Sequence, residues 1–259
     1  MEQKQTKILI SGASGKMGHA VAAAIAGRTD CMTCAGVALH TESYRDFKIY
    51  PKFSDLPEKP DVLIDFSNPA VLDDLLNYCL VNGVPCVLAT TGYSEEQIAR
   101  IQKAAGSIPV FFSFNMSLGI NLLVQLAKKA TSILGGQFDI EIIEKHHNQK
   151  IDAPSGTALM LADAINQTLN NSCHYVYDRH SKRQKREASE IGMHAVRGGT
   201  IVGEHDIIFA GHDEVITLSH SAASKEVFAV GAVNAAVFLA DRKPGLYDMS
   251  ALMQNESKN

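Results

Sequence analysis

Residues 144–158 read EKHHNQKIDAPSGTA and bring two histidines and a lysine into one short stretch. His146 and His147 are adjacent, and Lys150 follows four residues after the first of them. Imidazoles ordinarily titrate near ~6.5 and ammonium groups near ~10.4, so both residue types can donate a proton around neutral pH. Ser155-Gly156-Thr157 comes next, and the spacing from Ala158 to Leu169 is helical. Ser155 is therefore predicted to cap a helix. The free amides and dipole of a helix start suit a carboxylate or phosphate. The chemistry these residues could do together is proton delivery to a small acidic molecule. The alternative is a solvated basic turn followed by an ordinary capped helix.

The elements that must position this stretch can be read from its flanks. Ile140, Ile142 and Ile143, with Glu141 and Glu144 between or beside them, predict a strand running into the histidines. Asp152-Ala153-Pro154 ends it, because proline restricts the residue before it and cannot donate to a ladder.

A second chemistry-bearing stretch lies near the N-terminus. KILIS at 7–11 is a short apolar run suited to a buried parallel strand, and GASGKMG follows at 12–18. Met17, Val21, Ala24 and Ile25 then recur at helical spacing. Strand, glycine loop and helix are the context of a phosphate cradle, although the spacing G-x-x-G-x-x-G departs from G-x-G-x-x-G. Gly12 permits the turn, Gly15 lets backbone approach a pyrophosphate, and Gly18 allows close helix–strand packing. A second strand is predicted from Thr33 to Leu39. Its tip, His40-Thr41-Glu42, lacks the acid that would bond the ribose 2′-hydroxyl of NAD in the usual place, and Lys16 and Arg45 are near in sequence. The cofactor is NADPH or NADH on this reading.

Three more strands are expected in DVLIDFS (61–67), VPCVLATTGY (84–93) and IPVFFSFN (108–115), with helices over Pro69–Val81 and Ser94–Ala105 between them. This alternation predicts an α/β, Rossmann-type, doubly wound parallel sheet. Its ligand crevice lies beyond the strand ends, at Asp65-Phe66-Ser67, Thr90-Thr91-Gly92 and Ser113-Phe114-Asn115-Met116. The second half differs. A helix over 117–134 is expected to show one apolar face of Leu118, Leu122, Leu126 and Ala130. KRQKRE, within 178–187, reads as a solvated loop. Alternation in EHDIIFAG and EVITLSH suits antiparallel strands, and FAVGAVNAAVFL (228–239) suits a buried helix that returns to the first domain. The second domain is thus expected to be α+β with a largely antiparallel sheet.

Composition narrows the function classes. The 259 residues are 46% hydrophobic and 20% charged, with a net charge of -4. A globular core is expected, with no general attraction to nucleic acid or an anionic membrane. No apolar run is long enough to span a bilayer, and MEQKQTK shows no signal-peptide pattern, which predicts a cytoplasmic location. The five cysteines include Cys31-x-x-Cys34, which leads into a strand rather than opening a helix and is read as structural. No Cys/His spacing resembles a zinc site, and no metal is expected. Tyr44 to Lys48 has the Tyr-x-x-x-Lys spacing of another oxidoreductase class, but too early in the chain to meet a nicotinamide.

Taken with GASGKMG, ATTG at 89–92, SFNMS and RGGTIVGEH at 197–205, the stretch from Glu144 to Ala158 resembles the 4-hydroxy-tetrahydrodipicolinate (dihydrodipicolinate) reductase family over nearly the whole chain. The resemblance implies a dinucleotide-binding domain from 1–116 and 228–259, and a substrate-binding and oligomerisation domain from 117–227 whose sheet is mixed, largely antiparallel. It implies NAD(P)H-dependent reduction of a small cyclic dicarboxylate, with loss of water, in the diaminopimelate–lysine pathway, by a homotetramer. His146 would be the general acid/base and Lys150 the proton donor, with His147, Gly156 and Thr157 on the substrate carboxylates. The cofactor would be held by Gly12, Ala13, Ser14, Gly15, Lys16 and Met17, by Ala89, Thr90 and Thr91, and by Ser113, Phe114, Asn115 and Met116. The alternatives are another Rossmann-type NAD(P) oxidoreductase, or a nucleotide-sensing module without catalysis. The set His146, His147 and Lys150 speaks against the latter.

Overall fold

The computed structural model describes residues 5–256. In chain order the strands and helices are β1 (Thr6–Ser11), α1 (Lys16–Ala26), β2 (Cys31–Val37), β3 (Ile49–Tyr50), β4 (Val62–Asp65), α2 (Leu72–Asn82), β5 (Cys86–Leu88), α3 (Glu95–Ala104) and β6 (Pro109–Phe112). They continue as α4 (Leu118–Leu134), β7 (Asp139–His146), α5 (Gly156–Thr168), β8 (His174–Val176), β9 (Glu190–Arg197), β10 (Gly203–Ala210), β11 (Val215–Ala222), α6 (Glu226–Leu239), β12 (Gly245–Tyr247) and α7 (Met249–Glu256). The chain divides into two compact units, 1–118 with 226–259, and 119–225.

The first unit is a seven-stranded parallel sheet in the order β12-β6-β5-β4-β1-β2-β3. Strand β1 shows why both faces are covered. Ile8 and Ile10 point into a core with Val21, Ile25, Ala232 and Val233 of α1 and α6, while Leu9 points into the opposite core with Leu72, Leu75 and Ile101 of α2 and α3. A run apolar on both faces is what a buried parallel strand requires. The strands are shorter than their apolar stretches suggest: β5 keeps only three residues, and Ala89 to Tyr93 form a loop at its end. Helix α3 is opened by a capping box between Ser94 and Gln97.

The second unit is a five-stranded mixed sheet in the order β11-β10-β7-β9-β8. The β10 ladders to β7 and β11 are antiparallel, and those of β9 to β7 and β8 are parallel. Helices α4 and α5 contribute to the core with Ile140, Ile142, Ile191, Met193, Ile207 and Phe209 of the sheet.

Two expectations are corrected here. Helix α4 buries Ile120, Leu123, Ala127 and Thr131, whereas Leu122 and Leu126 stay about half exposed. Its sequence carries two apolar stripes, and helical period alone does not say which one meets the sheet. The loop at 178–187 is not uniformly solvated. Arg186 donates to Glu141, Asp139 and the carbonyls of Ile140 and Glu190, and Arg179 pairs with Glu190 at 2.5 Å. Guanidinium groups have enough donors to serve several carbonyls and carboxylates at once, so these two bind the loop to the sheet.

Candidate active site

In the first unit, the glycine loop is shaped by contacts that leave no room for side chains. Gly12 has φ +81°, and a Cβ there would lie 2.7 Å from the Phe66 carbonyl oxygen. A Cβ on Gly18 would lie 2.3 Å from the Gly12 oxygen, so α1 sits directly on the loop. Helix α1 has Gly15 at its N-cap and no side-chain cap, which leaves its first amides for an outside acceptor. A cavity of about 760 Å³ opens beside this loop, lined by Gly12, Ser14 and Gly15 together with His40, Lys52 and Ser67. The uncapped helix start, the glycine cradle and the cavity fit a dinucleotide.

The other residues expected to hold a cofactor are placed differently. Ala13 is fully buried, with its carbonyl accepting from the Tyr44 hydroxyl at 2.9 Å. Lys16 and Met17 begin α1 and do not line the cavity. Ala89 and Thr90 are buried and Thr91 is exposed at the end of β5. After β6, Phe114 is exposed, while Ser113 and Asn115 fold their own loop through a Ser113 hydroxyl to Asn115 carbonyl bond of 2.9 Å. Met116 is buried in the core, and a Cβ on Gly231 would reach within 1.7 Å of its carbonyl. Met116 therefore offers a ligand no side-chain surface. Asp65, expected at the crevice mouth, is only 1% exposed and lies beneath it. Lys52, not Lys16 or Arg45, is the lysine that lines the cavity together with His40. Sequence reading missed it because Lys52 follows β3, some distance along the chain from the tip of β2.

In the second unit, β7 alternates so that Ile140, Ile142, Glu144 and His146 all face the buried side. Period-two geometry therefore puts a carboxylate and an imidazole on the core face at the strand's carboxyl end. Glu144 is fully buried and makes four bonds. It accepts from His146 Nδ1 at 2.6 Å, from the Arg197 guanidinium through both oxygens at 2.7 Å, and from the Ser155 amide at 3.0 Å. Burial, the largest single influence, pushes the Glu144 carboxyl up. The Arg197 guanidinium, the His146 ring and the Ser155 amide outweigh it and leave the group below the usual carboxylate range. A carboxylate can only accept, so His146 carries its proton on Nδ1 and turns Nε2 toward Gly203, where an added Cβ would be 3.1 Å away.

The β7–β9 register sets Arg197 opposite His146, and the β7–β10 register sets His205 opposite Glu144. Neither residue was singled out for the site from sequence. The signal was present in RGGTIVGEH, which bears both, but their meeting with Glu144 depends on strand pairing. His205 is 4% exposed, meets the Ser155 hydroxyl at 3.1 Å and stands edge-on to His146 at 5.3 Å between ring centres. Burial and then repulsion from His146 push the His205 imidazole down to about 4. Its folded value lies below its unfolded one, so stability present at pH 7 is lost as pH falls from about 6.5 toward 4. The expected loss between pH 7 and 5 is about 2 kcal/mol, read by urea unfolding at the two pH values. In His205→Gln that difference shrinks by the same amount; an unchanged pH dependence would show that His205 is not its source.

Ser155 caps α5, accepting from the Ala158 amide at 3.2 Å, and a Cβ added to Gly156 would meet nothing within 4 Å. The helix start is therefore open at Gly156. Thr157 follows in the first turn, partly buried. Lys150 pairs with Asp152 at 2.8 Å, and its amide bonds the His147 carbonyl at 3.1 Å in the turn that carries both. His146, His147, Lys150, Gly156 and Thr157 thus belong to the end of β7, the start of α5 and the turn joining them. This arrangement can hold an anion at amides and cations while an oriented imidazole moves a proton.

The competing chemistries fare worse. The Tyr44 phenol is spent on Ala13 and is pushed up by burial, where a base would need it lowered. Burial raises the thiols of Cys31 and Cys34 to about 11, the opposite of a reactive pair. Among the described residues one trio, His174, Glu187 and Glu190, has ligand-type atoms within 4.8 Å of one another. It lies at the opposite end of β9 from Arg197, and Glu190 is already paired with Arg179.

Comparison with known proteins agrees over both units. The model of the dihydrodipicolinate reductase N-terminus matches residues 6–116, and that of the C-terminus matches 119–253. The chain is 52% identical over 248 residues to the 4-hydroxy-tetrahydrodipicolinate reductase of Caldanaerobacter subterraneus, covering 96% of this chain and 98% of that one. It is 44% identical to the Clostridium tetani protein of the same name, covering 96% and 97%. Among solved structures, the dipicolinate-bound dihydrodipicolinate reductase of Paenisporosarcina sp. TG-14 superposes with a TM-score of 0.79 at 24% identity, over 95% of this chain and 98% of that one. Scyllo-inositol dehydrogenase of Lactobacillus casei with NAD(H) bound shares the fold at a TM-score of 0.57 and 12% identity, over 97% and 94%. With both halves matched in order and half of all residues identical to a named relative, the chain belongs to the dihydrodipicolinate reductase family.

Proposed function

We propose that the protein reduces 4-hydroxy-tetrahydrodipicolinate, with loss of water, to tetrahydrodipicolinate in diaminopimelate and lysine biosynthesis, acting in the cytoplasm as a homotetramer. The observation that carries the reading is His146 oriented by buried Glu144, itself paired with Arg197, next to the open helix start at Gly156. Residues 1–116 and 228–259 hold the nucleotide, and 117–227 hold the substrate and build the oligomer.

When bound, the nicotinamide supplies the hydride. The chain's own residues do the rest. The Gly156 and Thr157 amides at the α5 start, with His147, hold the carboxylates of the diacid, an anion site of the kind helix N-termini provide. His146 exchanges protons through Nε2 as water is lost, because Glu144 keeps Nδ1 protonated. The Lys150 ammonium, held by Asp152 until a substrate carboxylate competes for it, donates the proton that balances the hydride. Residues around the glycine loop bind and orient the nucleotide, with Ala89–Thr91 and Ser113–Met116 contributing mainly backbone.

NADPH is accepted at least as well as NADH. Glu42, the acid nearest the tip of β2, does not line the cavity, whereas Lys52 and His40 do, with Asp74 as the acid contributed by α2. The reading predicts substrate-dependent loss of NAD(P)H absorbance with freshly prepared substrate; no turnover with either nucleotide would overturn it. Lys52→Ala is expected to raise KM for NADPH roughly tenfold while leaving KM for NADH within about twofold, the selectivity of one phosphate–ammonium contact. Equal changes for both nucleotides would remove Lys52 from the phosphate site.

A further inference from the structure

Four hydroxyl groups from separate stretches of the first unit converge on one buried carboxylate. Asp65 closes β4, and its Oδ1 accepts from Ser11 Oγ at 2.6 Å and Ser67 Oγ at 2.5 Å. Its Oδ2 accepts from Thr90 Oγ1 at 2.6 Å and the Tyr93 hydroxyl at 3.3 Å. A carboxylate offers about four acceptor sites, so this one is saturated. Each donor is neutral, so the charge is hydrogen-bonded but not neutralised. Burial and then the neighbouring Asp65 charge push the Tyr93 phenol up, as expected for a hydroxyl facing a carboxylate.

The position of this hub gives it meaning. β1 and β4 are the neighbours at which the strand order reverses, and ligands of open α/β sheets lie beyond that point. Ser11 leads into the glycine loop, Ser11 and Ser67 line the cavity, and Thr90 belongs to the loop after β5. Each of these hydroxyls has one proton and donates it in a hydrogen bond to Asp65. What they can still offer a ligand is a lone pair, which suits a ribose hydroxyl or carboxamide N–H and not a phosphate oxygen. Beneath them remains a full negative charge in a medium of low dielectric. A nicotinamide ring is neutral when reduced and cationic when oxidised.

We propose that Asp65 is a positioning residue whose buried charge favours the oxidised over the reduced nicotinamide nucleotide and so assists hydride release. This rests on the reading of the crevice as a nucleotide site. The test compares equilibrium dissociation constants of NADP+ and NADPH, by calorimetry and NADPH fluorescence, in the unaltered protein, in Asp65→Asn and in Thr90→Val. Asp65→Asn should raise the ratio of the NADP+ constant to the NADPH constant roughly tenfold, the size of effect one partly screened charge exerts. Thr90→Val removes a hydroxyl but keeps the charge, so its ratio should stay within about twofold of the unaltered protein's, whatever happens to both constants together. Should Asp65→Asn not fold, Asp65→Ser, which leaves room for water among the hydroxyls, is read in the same way. An unchanged ratio in a folded Asp65 variant that binds both forms overturns the role of Asp65 alone. Failure of the unaltered protein to bind either form overturns the nucleotide assignment and this proposal with it.

Discussion

His146→Gln should lower kcat by about 10²- to 10⁴-fold, the usual contribution of a positioned general acid or base. The side chain is of similar size and its amide NH₂ can still donate to Glu144, so the β7–β9–β10 framework should persist. Nucleotide affinity should stay within about twofold, because the glycine loop, the cavity and its lining all belong to the first unit. Lys150→Ala should lower kcat by a comparable factor and also raise KM for the diacid, since the ammonium serves both as donor and as counter-charge. Steady-state kinetics with nucleotide binding measured in parallel separates these effects. Full activity in both variants would show that the proton comes from elsewhere.

Glu144→Gln is expected to have the second-largest effect, on rate and on stability together. Oε2 of Glu144 serves both His146 and Arg197, while Oε1 serves Arg197 and the Ser155 amide. Whichever oxygen becomes an amide NH₂, two donors lose their acceptor and a partly buried guanidinium loses its buried counter-charge. Breaking a buried pair in this way costs about 3–5 kcal/mol. For a protein of this size that lowers Tm by on the order of 10 °C. An amide can meet Nδ1 with its oxygen or its NH₂, so the imidazole tautomer is no longer dictated, and kcat should fall about 100-fold or more. A thermal melt and an activity assay on the same preparation check both parts. If Glu144→Gln kept wild-type kcat while losing stability, Glu144 would be a structural residue with no hold on the catalytic ring. The double variant with His146→Gln should be little slower than His146→Gln alone, since the carboxylate acts on the reaction through that ring.

Much of the architecture was legible in the chain because it follows from local rules. The double-sided apolar run of β1, the glycine loop with its helix and the alternation of strands with helices each express a period or a backbone restriction. The Ser155 cap was legible for the same reason. The choice of face on α4 was not, because Leu122 and Leu126 form a stripe as apolar as the one the sheet covers. The length of β5 was not either, since LATTGY continues in composition where the ladder stops.

The candidate site divides along the same line. The amino-acid sequence by itself determined that two histidines, a lysine and an open helix start lie within a dozen residues, and that a phosphate cradle stands elsewhere in the chain. Those are properties of near neighbours along a backbone of known geometry. Only the tertiary structure decided that Glu144 is buried, that Arg197 and His205 reach it from β9 and β10, and that Asp65 gathers four hydroxyls beneath the crevice. Strand pairing brings together residues more than 50 positions apart, and a shift of one residue in register would turn each of them to the opposite face. Burial then does what no spacing reveals: it strengthens the hydrogen bonds and the field of these two carboxylates, one of which orients a ring while the other lies beneath the cofactor crevice.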